Sequence, residues 1–210
     1  MDSIELHSGD WVMSRPVPGK ETNLFQKAIL LIADHTHDEM VCVDDEGKQW
    51  VGSAEVPCFR LTPVQEHFDS WRKGERVFGM FRWKEWTEGR VEWNGLWQVY
   101  QDHVQACVQL LASMKIPYDL SAISSQARNY FRKILHLGWL GTIGRHTEYE
   151  VYCTESCWKM SKASGIDCDK RLGKVQPLPA PCHSEQLYRK GELVCVEDFG
   201  LLQYFKKPYA

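Results

Sequence analysis

Residues 149–165 read YEVYCTESCWKMSKASG, and this stretch predicts a change from strand to helix at a single cysteine. Residues 149–152 favour a short strand. In residues 154–164 the apolar side chains recur at helical spacing, and Gly165 is a typical residue to end that helix. Cys153 therefore stands where the predicted strand ends and the predicted helix begins.

The predicted position of Cys153 favours thiol chemistry. A cysteine attacks as its thiolate, and an unperturbed thiol has a pKa near ~8.5. The free backbone N–H groups and the dipole at a helix N-terminus stabilise negative charge, and the same N–H groups can hold an oxyanion at the start of the helix, beside Thr154. Cys157 lies one turn later, on the face that we expect to be buried. The alternative reading of Cys153 is a buried cysteine without a catalytic role.

Working outward from Cys153, the order of predicted elements indicates an α+β domain. The N-terminal third is typical of β structure, the middle of the chain is helical, and Thr62-Pro63 has the pattern of a helix start. We treat residues 1–210 as one domain, with residues 171–210 as a C-terminal extension or closing hairpin. The predicted strands include residues 11–13, 40–43, 49–52 and 76–83, and the predicted helices include residues 96–115 and 121–137.

Five short segments resemble, in the same order along the chain, motifs of the permuted NlpC-like papain-fold hydrolases, the YiiX/YaeF group. The nucleophile segment Tyr152-Cys153-Thr154-Glu155 is similar to their Y-C-S/T-E. The resemblance implies a circularly permuted papain-like fold, in which a small antiparallel barrel-like sheet packs with helices and the histidine precedes the cysteine. The other four segments are residues 9–15, 36–44, 59–64 and 117–119.

The resemblance also implies roles for individual residues. His37 matches the general base, with His35 two residues earlier as the alternative. Glu55 matches the carboxylate that orients the imidazole, and Tyr118 matches a tyrosine that lines the site and helps to hold the oxyanion. Together with Cys153 these residues would form a thiol hydrolase site that needs no metal and no cofactor.

The sequence departs from the motif directly after His37. Asp38 and Glu39 stand where the family has an apolar residue and a glycine. This departure and the tryptophan-rich middle of the chain indicate a specialised member of such a family.

The expected activity is hydrolysis of an amide or acyl bond through a thioester. The resemblance implies a peptide, peptidoglycan-like or lipid-acyl substrate. An acyltransferase and a non-catalytic binding module on the same fold are the alternatives.

Bulk composition excludes several classes of protein. The 210 residues carry a net charge of −3, so we expect no nucleic-acid partner. The start of the chain has neither a basic region nor an apolar run, which predicts a cytoplasmic product without a signal peptide, release by lysis or packaging in a virion being left open. No run reaches the ~20 apolar residues of a membrane span. The eight cysteines are expected to be mostly reduced.

Two further patterns have alternative readings. Residues 71–97 hold five tryptophans among basic side chains, which suits core packing or, alternatively, a surface that stacks on sugars or single-stranded nucleic acid. Cys153, Cys157, Cys168 and Cys182-His183 lack the paired C-x2-C spacing of structural zinc sites, so a metal role for them is the weaker interpretation.

Overall fold

The computed structural model describes residues 5–21, 24–31, 33–87, 94–119, 152–175 and 179–205. Its described strands form one six-stranded antiparallel sheet in the order β4-β3-β2-β1-β5-β6. The strands are β1 (Trp11–Pro16), β2 (His37–Val43), β3 (Gln49–Ala54), β4 (Phe59–Pro63), β5 (Arg76–Trp83) and β6 (Leu193–Phe199). The α+β class is therefore confirmed.

The sheet is open, which corrects the barrel-like closure that we expected. Strands β4 and β6 lie at its two opposite edges and do not pair with each other. The permuted papain-like arrangement remains a prediction.

Helices lie between the strands in the chain and pack against the sheet. Helix α4 agrees with the predicted helix at residues 96–115, and α5 begins at Cys153 as predicted. The predicted helix at residues 121–137 lies outside the described residues, as does most of the predicted strand before Tyr152. The helices are α1 (Leu24–Ile29), α2 (Gln65–Arg72), α3 (Lys84–Thr87), α4 (Asn94–Met114), α5 (Cys153–Ala163), α6 (Cys168–Leu172) and α7 (Pro181–Arg189), with a 3-10 turn at Leu202–Tyr204.

The two faces of the sheet each bury a hydrophobic cluster because successive strand residues point to opposite sides. In β1, Trp11 and Met13 belong to the larger cluster, beneath α4 and α5. Val12, between them, belongs to the smaller cluster, against which Phe68 of α2 packs. Strand β1 is therefore buried except at Arg15, which fits the apolar run Trp11-Val12-Met13 at its start.

Two local predictions differ from the structure. Thr62 does not cap a helix, because Thr62 and Pro63 still belong to strand β4, where they pair with Val51 and Trp50 of β3. Helix α2 begins only at Gln65. A proline is tolerated there because β4 is an edge strand. The C-terminal residues form no hairpin between residues 193–196 and 201–205; β6 instead pairs with β5 in the main sheet.

Helix α4 also turns a slightly different face inward than its pattern suggested. Tyr100, Val104 and Val108 are buried, whereas Leu110 and Met114, two apolar residues of the same helix, are exposed.

Candidate active site

Cys153, the candidate nucleophile, is the first residue of helix α5. Tyr152 precedes the helix in an extended conformation, and its carbonyl accepts the first helical hydrogen bond from the N–H of Ser156. Cys153 is therefore in the first turn, where backbone N–H groups lack helical partners. Its side chain is buried, and the residue is only 2% exposed.

His37 is the histidine that meets this thiol. It is the first residue of β2, against which α5 packs, and its imidazole is close enough to Cys153 for the two side chains to interact electrostatically. Burial alone would lower the pKa of His37, but the carboxylate of Glu39, the Cys153 thiolate and Glu55 together raise it well above its ordinary value. The site thus favours the charged form of the His37 imidazole.

The Nε2 atom of His37 faces a polar group on β3. It lies 2.7 Å from Ser53 Oγ, and Ser53 Oγ lies 3.5 Å from Glu55 Oε1. Glu55 Oε1 is itself 3.7 Å from His37 Nε2, and the other carboxylate oxygen of Glu55 pairs with Arg60. The predicted carboxylate is therefore present beside the imidazole, and the Ser53 hydroxyl contacts both groups.

Glu39 is a second carboxylate at the same imidazole, and we did not predict its role. Its Oε1 lies 3.6 Å from His37 Nε2, and its Oε2 lies 3.1 Å from Nε2 of His67 on α2. Burial alone would raise the pKa of Glu39, but the charges of His67 and His37 lower it far below its ordinary value. The only signal in the sequence was the departure from the family motif.

Asp38 points to the opposite side of β2 and ties the start of α5 to the sheet. Its Oδ2 accepts a hydrogen bond of 2.5 Å from the hydroxyl of Thr154. Its Oδ1 lies 2.7 Å from His35 Nε2 and accepts a hydrogen bond of 2.9 Å from Ser184 on α7. Because the Thr154 hydroxyl is used in this way, Thr154 can reach an oxyanion only through its backbone N–H.

His35, the alternative base, is fully engaged elsewhere. Its two ring nitrogens lie 2.7 Å from Asp38 Oδ1 and 2.8 Å from Glu185 Oε1, and all three side chains are completely buried. Burial alone would lower the pKa of His35, but Asp38 and Glu185 raise it to about 10. The geometry therefore pairs His37, and not His35, with Cys153.

Tyr118 lies at the same site. Burial raises the pKa of its hydroxyl, and the nearby charges of Cys153 and Glu55 raise it further. Its backbone N–H donates to the carbonyl of Pro57, which fixes the segment beside the start of β4. The structure thus brings Cys153, His37, Glu55 and Tyr118 together.

Among the described residues, one group has three metal-type ligand atoms within 4.8 Å of one another: His37, Glu39 and Glu55. Each of the three already has a protein partner, namely Ser53, His67 and Arg60 respectively. The cysteine set considered as an alternative zinc site is not such a group among these residues.

No family model matches this chain, and no curated protein matches it significantly. The resemblance to the permuted papain-like group therefore remains a prediction from short motifs. No described helix combines the length and the apolar character that crossing a membrane requires.

Proposed function

We propose that this chain is a cysteine hydrolase that cleaves an amide or acyl bond, with Cys153 as nucleophile and His37 as general acid and base. One observation carries the proposal: the cysteine in the first turn of α5 lies beside the half-buried His37, and the carboxylates of Glu39 on β2 and of Glu55 just after β3 favour the charged form of that imidazole. A nucleophile, a base and a group that orients the base are the parts that covalent catalysis needs.

The proposed reaction has two steps, formation of a thioester and its hydrolysis. The Cys153 thiolate attacks the carbonyl carbon, a C–S bond forms, and backbone N–H groups at the start of α5 hold the oxyanion. His37 then gives its proton to the leaving amine or alcohol as the C–N or C–O bond breaks, which leaves a thioester. Water, losing a proton to His37, attacks the thioester, and the acid product and the free thiolate are released.

The substrate class follows from the resemblance and not from a bound ligand. A peptide amide, including a peptidoglycan-like peptide, or a lipid acyl bond fits this chemistry. If an amine or alcohol replaces water in the second step, the same residues perform acyl transfer, and analysis of products with and without an acceptor separates the two activities.

The direct test is the alkylation rate of each cysteine against pH, measured by mass spectrometry after brief iodoacetamide treatment. We expect Cys153 to remain reactive below about pH 7, where ordinary thiols are largely protonated. The variant His37→Ala should lose this reactivity. Cys157→Ser is the matched control, since Cys157 lies one turn later in the same helix and is buried.

If Cys153 reacts no faster than half-buried Cys107 or Cys195, or if His37→Ala leaves its rate unchanged, the proposal fails. A binding module on the same fold would then be the better interpretation. If an activity is found but is abolished by EDTA and spared in Cys153→Ala, the thiol mechanism is wrong.

A further inference from the structure

Three side-chain oxygens of the described residues lie near Nε2 of His37, and one of them is at hydrogen-bond distance. Ser53 Oγ lies 2.7 Å away, whereas Glu39 Oε1 and Glu55 Oε1 lie 3.6 Å and 3.7 Å away. Hydrogen bonds between nitrogen and oxygen are about 2.7–3.2 Å long, so the two carboxylates act on this nitrogen as nearby charges. The direct partner of Nε2 in the described part of the chain is therefore the Ser53 hydroxyl.

The sheet holds Ser53 firmly in this place. Ser53 is completely buried near the end of β3, and it pairs there with Arg60 of β4. Strand β3 lies between β2 and β4, so its backbone has a neighbouring strand on each side. Arg60 also pairs with Oε2 of Glu55, which leaves Oε1 of that carboxylate toward Ser53. A buried hydroxyl on such a strand can orient an imidazole with little competition from water.

The Ser53 hydroxyl can link the imidazole to Glu55 because a hydroxyl both donates and accepts hydrogen bonds. Ser53 Oγ donates to Glu55 Oε1 over 3.5 Å, and this contact uses its single proton. The lone pairs of Ser53 Oγ then accept the proton on Nε2 of His37. The resulting chain runs from Nε2–H to the hydroxyl and on to the carboxylate, and it keeps Nε2 protonated.

Glu39 adds charge at the same imidazole but does not replace the serine. Its Oε2 lies 3.1 Å from Nε2 of His67 on α2, and Arg76 of β5 also acts on this carboxylate through its charge. The charged groups around His37 therefore favour the imidazolium as a whole. The hydrogen bond to Ser53 distinguishes one ring nitrogen from the other, since only Nε2 makes it.

We propose that Ser53 is a positioning residue: it holds a proton on Nε2 of His37, so that Nδ1 is the nitrogen that exchanges a proton at Cys153. In the first step the proton on Nδ1 passes to the leaving group. In the second step Nδ1 takes a proton from the attacking water, and the Nε2–H bond stays intact throughout. Glu55 thus acts on His37 through the serine. This inference rests on the proposed function, because it assigns the proton transfers of that reaction.

The first test locates the proton by long-range ¹H–¹⁵N spectroscopy of the His37 ring, in the full chain carrying Cys153→Ala, as the pH is raised. Loss of the thiolate lowers the pKa of His37, which brings the neutral imidazole within reach of the titration. We expect Nδ1 to lose its proton while Nε2 keeps its own. Adding Ser53→Ala should weaken this preference. Loss of the proton from Nε2 in the chain that retains Ser53 would overturn the proposal.

The second test measures the alkylation rate of Cys153 in variants of Ser53. Ser53→Ala removes the acceptor for Nε2–H and destabilises the imidazolium, so alkylation below about pH 7 should slow by about tenfold, the lower end for a hydrogen bond to a charged group. Ser53→Thr keeps the hydroxyl and should retain most of the rate. Ser113→Ala is the matched control, because Ser113 is exposed and donates within its own helix to Leu110.

The two tests separate this inference from the proposed function. If Cys153 of the wild type is unreactive, the proposed function fails, and the proton position on His37 still decides the role of Ser53. If the wild type is reactive but Ser53→Ala matches Ser113→Ala, the inference fails and the hydrolase proposal stands. Equal losses in Ser53→Thr and Ser53→Ala would also overturn the inference, because the hydroxyl would then not be the group that matters.

Discussion

At the residue scale, the consecutive carboxylates Asp38 and Glu39 organise two separate networks. Side chains alternate along a strand, so Asp38 faces α5 and α7 while Glu39 faces His37 and α2. Both residues are almost completely buried, and each is paired with at least one histidine. Glu39 therefore supports the charge of the proposed catalytic imidazole, and Asp38 supports its position relative to the thiol.

The variant Glu39→Gln should shift the pH dependence of the proposed activity. Glu39 helps to raise the pKa of His37, so removal of its charge lowers that pKa and destabilises the imidazolium. The alkaline limb of the kcat/KM profile, which reports loss of the imidazolium, should move to lower pH while the plateau changes little. Glu66→Gln, an exposed change at the start of α2, is the control; an unmoved limb in Glu39→Gln would exclude this role.

His35 should make stability depend on pH in the neutral to alkaline range. The pKa of His35 is about 10 in the folded protein and near ~6.5 in the unfolded chain. The contribution of His35 to the free energy of unfolding is therefore complete below the unfolded pKa and is lost as pH rises through about 10. Between these limits the free energy of unfolding should fall, by at most about 1.4 kcal/mol per pH unit from this group.

Glu185→Gln isolates the effect in urea unfolding series. It lowers the folded pKa of His35, so the loss of stability should begin near pH 6.5 in both proteins but end at a lower pH in the variant, with a smaller total loss. Exposed Glu46→Gln should leave the curve unchanged. Parallel curves for wild type and Glu185→Gln would show that His35 is not charged in the folded protein.

At the scale of elements, helix α5 is held at its first turn by a side chain from β2. The Thr154 hydroxyl donates to Asp38, and neither residue is exposed to solvent. Thr154→Val keeps the shape but leaves a buried carboxylate oxygen without this donor, which should cost about 1–3 kcal/mol of unfolding free energy. Thr154→Ser keeps the donor and should lose much less; equal losses in both variants would indicate packing rather than the hydrogen bond.

The elements that the sequence predicted well are those with strong local signals. Strand β5 was predicted from alternation, and helix α5 was predicted from helical spacing and from Gly165 at its end. The hairpin proposed for the C-terminus failed, because the partner of β6 is a strand more than 100 residues earlier, which no local pattern reports.

The residues of the candidate site were predicted about as well as the secondary-structure elements. The geometry brings together the four predicted side chains Cys153, His37, Glu55 and Tyr118, all taken from short motifs. The partners of His35 were not predictable, because Glu185 is 150 residues away and only the folded chain places it there. Ser53 was missed for a related reason: the register in which Met40 pairs with Gly52 brings it beside His37, and register depends on the whole sheet. Glu39 lies on the same face of β2 as His37 by alternation, but its pairing with His67 of α2 is visible only in the folded chain.

At the scale of the whole molecule, the C-terminal segment is part of the sheet. Phe199 of β6 stacks on Phe78 of β5 at 4.4 Å and contacts Phe68 and Trp71 of α2. The smaller hydrophobic cluster therefore needs residues from both ends of the chain.

Phe199→Ala should destabilise the protein by about 3–5 kcal/mol, the usual cost of truncating a buried phenylalanine. The measurement is the free energy of unfolding in urea, with Val175→Ala as control because Val175 is 77% exposed. A loss below about 1 kcal/mol would mean that residues 193–199 are a dispensable addition to the sheet.

The open edge at β4 has a consequence for behaviour in concentrated solution. The N–H of Val64 donates inward to Gln49, so by alternation residues 59, 61 and 63 point their backbone nitrogens away from the sheet. Phe59 donates to Ile116 and Pro63 has no N–H, which leaves Leu61 as the outward donor along this described strand. Along β4 a neighbouring molecule thus finds few outward N–H donors on which to add a strand, and replacing Pro63 by threonine would add a second such donor to this edge.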